Sequence, residues 1–83
     1  MSIKPSIYRH FKGERYLVLG VFIHTETLEK YVAYVGLSGF WVRSLDSFLS
    51  EVQVKGVFLP RFMFQKYVTA GKIGQVLVDK GKI

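Results

Sequence analysis

The chain has 83 residues, a net charge of +6 and no cysteine, with 49% apolar and 16% aromatic residues. This length supports one domain, which buries only about 60% of its unfolded surface. The apolar content excludes intrinsic disorder, the lack of cysteine excludes disulfides and thiolate metal sites, and no apolar run approaches the ~20 residues of a membrane helix. Residues 1–83 are thus expected to form a single small domain, and Met1 to Pro5 lack the apolar stretch of a signal peptide, which points to the cytoplasm. The positive balance favours an anionic partner: a nucleotide, nucleic acid or an acidic protein. The same charge also serves solubility.

In chain order, Tyr8-Arg9-His10-Phe11-Lys12-Gly13 comes first. If this stretch is extended, Tyr8, His10 and Lys12 share one face and Arg9 and Phe11 the other. Residues 15–23 are rich in β-branched and aromatic side chains and read as a strand, with a bend or bulge at Gly20. A polar turn over Thr25 to Glu29 leads to a second strand, Lys30 to Val35. Gly36-Leu37-Ser38-Gly39 turn the chain into a third, Phe40 to Arg43. Ser44 is a candidate N-cap for a short helical turn over Leu45–Leu49.

Val52–Val54 and Val57–Leu59 flank Lys55-Gly56, the pattern of a two-residue hairpin turn. Arg61–Phe64 continue as a strand. In the tail, Gly71 and Gly74 disfavour a long helix, and Val76-Leu77-Val78 read as a late strand, although Ile73, Val76 and Leu77 also fit one helical face. The expected fold class is mainly β: a small SH3-like curved sheet or barrel with one short helical turn.

Tyr8 to Gly13, Tyr16, Val18-Leu19-Gly20-Val21, His24-Thr25-Glu26-Thr27, Tyr34, Trp41-Val42-Arg43 and Phe48 together form a pattern spanning roughly residues 5–62. In this pattern the chain resembles the domain of unknown function 1653 family, small bacterial and phage proteins. The resemblance implies that these positions matter and brings no established reaction or ligand. The loop between Tyr34 and Trp41 is shorter than in the family and lacks its polar residues, and Ser44 stands where the family usually has proline. A ligand contact made by that loop in relatives would be missing here. The basic tail, residues 65–83, lies outside the resemblance and is a candidate for a role of its own, such as oligomerisation.

Three groups of residues are candidates for binding. Tyr8, His10 and Lys12 would line an anion pocket with an aromatic wall; alternatively they satisfy buried polar groups. His24 and Glu26, two apart, would face one side and orient an imidazole, although such a pair also braces a turn. Trp41 offers a stacking surface for a base, and Arg43, on the same strand face, a clamp for phosphate. The competing role for Trp41 is the core, and for Arg43 a surface pair with Asp46 or Glu51. Phe62 and Phe64 read as core or an oligomer interface. The tail lysines, Lys66, Lys72, Lys80 and Lys82, read as a solvated basic segment.

Two histidines without cysteine are too few for a metal site, and no nucleophile elbow or phosphate loop is present. The expectation is a non-enzymatic binding module without cofactor that associates with copies of itself. Its ligand would be an anionic, nucleotide-like small molecule, bound through Tyr8, His10, Lys12, His24, Glu26, Trp41 and Arg43. A single domain with no output module would act by binding alone, for instance by sequestering a nucleotide signal. The rival readings are a nucleic-acid-binding or a protein-interaction barrel.

Overall fold

The computed structural model describes residues 3–78. Seven strands and two helices follow in the order β1 (Ser6–His10), β2 (Arg15–Ile23), β3 (Lys30–Gly36), β4 (Gly39–Ser44), α1 (Leu45–Leu49), β5 (Glu51–Val54), β6 (Val57–Pro60), β7 (Phe62–Tyr67) and α2 (Ala70–Val78). Five strands form an antiparallel sheet in the order β4-β3-β2-β1-β7, and β5 and β6 form a separate hairpin. Of the two expected forms, curved sheet and closed barrel, the sheet takes the open one, with β4 and β7 at its edges. Register shifts between Ile7 and Tyr8 and between Val18 and Gly20 add local bends.

Both faces of the sheet are covered. On one face Val18, Val32, Tyr34 and Phe62 pack around Phe48 of α1. α1 starts as the sequence predicts: Ser44 is the N-cap, its hydroxyl accepting the Ser47 N–H at 3.2 Å. On the other face Ile7, Leu17 and Val35 pack against Ile73, Val76 and Leu77 of α2. We call these the α1 face and the α2 face. The β5–β6 hairpin turns at Lys55 and Gly56, both with positive φ (50° and 80°), as a two-residue turn requires.

Two expectations are corrected. The late strand at residues 76–78 is instead the end of α2. Burial of Ile73, Val76 and Leu77 against an otherwise open sheet face outweighs the roughly 1 kcal/mol by which each of Gly71 and Gly74 disfavours helix. The tail thereby takes part in the fold, with residues 65–67 completing β7 and 70–78 covering the α2 face, while Lys66 and Lys72 stay exposed to solvent as expected. Lys80 and Lys82 lie outside the described residues. The first strand also ends at His10, and Lys12 stands in the turn that follows.

Candidate functional site

The sheet register decides which candidates meet. Tyr8 pairs with Tyr16 and Val18 with Tyr34, and beyond them Tyr34 pairs with Trp41 and Val32 with Arg43. Opposed residues of antiparallel strands share a face. Tyr8, His10, Tyr16, Tyr34, Trp41 and Arg43 therefore all point to the α1 face, together with Phe62, which pairs with His10.

At the centre is a ring cluster. His10 lies 4.9 Å from Phe62 and 6.4 Å from Tyr16, and Tyr34 lies 5.1 Å from Tyr16 and 5.3 Å from Phe62, all edge-to-face. Tyr16 fits because Gly36 has no side chain, since a Cβ there would stand 2.6 Å from the Tyr16 ring. The Arg43 guanidinium sits 5.7 Å from the Phe62 centroid, and Arg43 donates to the Tyr34 hydroxyl at 3.4 Å and to Ser47 Oγ at 3.0 Å. The competing role of Arg43, a surface pair with Asp46 or Glu51, does not form. Its described partners are neutral hydroxyls and a ring, and among the described residues no carboxylate forms an ion pair with it.

His10 collects the field of this cluster. Partial burial pushes its pKa below the ordinary 6.5, and Arg43, Lys12 and Arg61 push it the same way against the opposing pull of Glu14. Its Nδ1 accepts the Lys12 backbone N–H at 3.2 Å, so in the neutral ring the proton resides on Nε2. Arg61 is held by Ser50, donating from Nε to Oγ at 3.0 Å. The Tyr16 phenol donates to Glu14 at 2.8 Å, and burial together with that carboxylate pushes its pKa up to about 12. Trp41, 47% exposed, borders the cluster on β4. The groove that His10 itself lines, with Arg9, Phe11, Leu59, Pro60 and Met63, has a volume of about 200 Å³.

The seven predicted residues thus divide. His10 and Arg43 meet through the ring cluster on the α1 face, Lys12 adds its charge to His10 from the turn, with its ammonium 5.9 Å from the Phe11 centroid, and Trp41 stands beside Tyr34 on β4. Tyr8 shares the face but packs edge-on against Phe48 and Phe64, at 5.1 and 5.7 Å, as part of the core margin. His24 and Glu26 lie at the far end of β2, about 25 Å from Tyr16 at ~3.3 Å per residue. There His24 Nδ1 accepts the backbone N–H groups of Glu26 and Thr27, both at 3.2 Å, which braces the turn. His10 and His24 do not meet, and among the described residues no group of three or more His, Asp or Glu side chains assembles as a metal site would need. Among the same residues no helix is long and apolar enough to cross a membrane.

Sequence reasoning left Tyr16, Tyr34, Phe62 and Arg61 out of the candidate site. A signal existed for Tyr16: the short turn after His10 folds the next strand back and sets Tyr16 opposite Tyr8. For Phe62 none existed, because β7 reaches β1 only through the long connection from β4.

No curated protein matches the chain. A crystal structure of a DUF1653 protein from Bordetella bronchiseptica is similar at 34% sequence identity, with a TM-score of 0.69, covering 81% of this chain and 92% of that one. The model of the family described as protein of unknown function (DUF1653) matches residues 6–64, which hold every residue of the ring cluster and none of α2. On both findings, the chain belongs to the DUF1653 family of proteins of unknown function.

Proposed function

We propose that this protein binds an anionic, nucleotide-like small molecule at the Arg43 end of the α1 face, without turning it over and without a cofactor. The observation that carries this reading is the state of Arg43. Its guanidinium is held in place by Tyr34, Ser47 and Phe62, and among the described residues no carboxylate forms an ion pair with it. An oriented arginine beside aromatic rings suits phosphate bound bidentately and a base stacked nearby. Trp41 would supply the stacking surface, and Lys12 and Arg61 further positive charge. His10 Nε2 would donate to the anion. Tyr8 would support the site from the core, and His24 and Glu26 have no part in it. Sequestration of a nucleotide signal is the role that binding alone would perform.

Calorimetric titration with a panel of nucleotides tests this reading, alongside native mass spectrometry of the protein as purified from cells. We expect a stoichiometric ligand or a nucleotide that binds. Arg43→Ala should weaken binding at least tenfold, and Arg43→Lys should restore it only in part, because the forked contact is lost. Absence of binding to every nucleotide tested, with no ligand released on denaturation, would sink the proposal.

The exposure of Trp41, 47%, favours a second reading, a single strand of nucleic acid whose bases stack on it. Affinity for a strand would fall steeply with salt as phosphate contacts release counterions. A mononucleotide affinity that changes little between low and moderate salt would favour the first reading.

A further inference from the structure

The α2 face carries a hollow where the chain leaves β7 and enters α2. Its volume is about 400 Å³, within the roughly 300–1,000 Å³ of small-molecule sites. Ile7, Val68 and Val76 line it with branched aliphatic carbon, and all three belong to the cluster around Leu17 and Val35. Lys66 and Lys72 line it as well, and no carboxylate is among the lining residues. The two lysines come from different walls. Lys66 pairs with Ile7 across β7 and β1, so both point to the α2 face. Lys72 stands three and four residues before Gln75 and Val76, which sets the three on one side of α2.

We infer that this hollow binds a small amphipathic anion, one anionic head group on an apolar body, such as a medium-chain carboxylate. The head would sit between Lys66 and Lys72, and the hydrocarbon on Ile7, Val68 and Val76. Two lysines lining one hollow, with no lining carboxylate, make a local excess of positive charge that favours an anion. The aliphatic floor gains when hydrocarbon removes it from water. The Gln75 side chain supplies an amide donor for a head-group oxygen. The combination selects the class. A small hydrated anion leaves the floor wet, a neutral hydrocarbon leaves the lysines unmatched, and a second anionic group would be desolvated against the floor.

This site differs from the Arg43 site in place and in origin. The ring cluster lies on the α1 face, within the stretch matched by the family model. Of the residues lining the hollow, only Ile7 lies within that stretch, which ends at residue 64. A ligand here touches both β7 and α2, so it holds the helix to the sheet and raises the stability of the fold. The inference does not depend on the nucleotide reading.

Calorimetric titration with sodium octanoate tests it, with acetate as the head alone and octanol as the body alone. Octanoate should bind one to one and raise the melting temperature, and the two controls should bind at least tenfold more weakly. Lys66→Gln combined with Lys72→Gln should weaken octanoate binding at least tenfold. Both side chains are exposed, so the melting temperature without ligand should not change. In NMR, octanoate should shift the backbone amides of residues 66–76 and leave those of the ring cluster unmoved. A protein that octanoate does not bind overturns the inference. So does a double variant that binds octanoate as tightly as the unaltered protein, or octanol binding as tight as that of octanoate. These readouts are taken without nucleotide, and the double variant should bind nucleotide as the unaltered protein does, so a failure here is distinct from a failure of the Arg43 site.

Discussion

His10 carries the most information of any single side chain, because three cations and a ring cluster act on it together. Its folded pKa lies below the ordinary 6.5, so as pH falls the unfolded chain takes up the proton first. The contribution of His10 to stability is therefore complete above about pH 6.5 and is lost as pH drops through the folded value. NMR titration of the imidazole should place its midpoint below 6.5. A bound phosphate reverses the sign, since an anion near the ring favours its charged form, and the midpoint should rise on saturation with ligand. A midpoint that ignores a bound nucleotide would exclude His10 from the site. Gly36 is the second telling position. Its missing side chain is the space the Tyr16 ring occupies, and that ring is already packed against Tyr34, Phe62 and His10. Gly36→Ala should therefore destabilise by about 1–3 kcal/mol, the usual range for overpacking, measured by urea denaturation.

At the scale of elements, the two helices perform the same task on opposite faces. α1 is five residues long and owes its position to Phe48, which stacks on Phe62 at 4.4 Å. α2 is nine residues long, too short to persist alone in water, and owes its helicity to the sheet beneath it. Its apolar residues close over Ile7, Leu17 and Val35, yet it lies beyond the stretch matched by the family model. Truncation after Thr69 should therefore expose these three side chains, lower the melting temperature by several degrees and promote aggregation. The ring cluster lies on the other face, so nucleotide binding at low temperature should survive in any truncated protein that stays folded. A truncated protein with an unchanged melting temperature would show that α2 contributes nothing to the core.

At the scale of the whole molecule, the strand order brings distant parts of the sequence together. β7 sits beside β1, so Phe62 meets His10, and β4 sits beside β3, so Arg43 reaches Tyr34 and comes close enough to act on His10. The local features were legible in the sequence because their causes are local. Alternation and β-branching mark residues 15–23 as the strand that forms, Ser44 caps by its own hydroxyl, and Lys55-Gly56 supply the positive φ of their own turn. Trp41 and Arg43 share a face by spacing alone. The state of α2 was not legible, because a segment whose helical and extended forms are nearly balanced is decided by the surface it lands on. The division of the seven candidate residues was not legible either. His10 and His24 both stand at the end of a strand and both accept the backbone N–H two residues on, but sheet register sends one into a cluster of rings and cations and the other to a distant turn. The sequence by itself determined a small, basic, strand-rich domain with its caps, turns and aromatic inventory. Only the tertiary structure decided that the sheet stays open, which face α2 covers, and which charges stand together. Those outcomes depend on contacts between residues far apart in the chain, which no local pattern encodes.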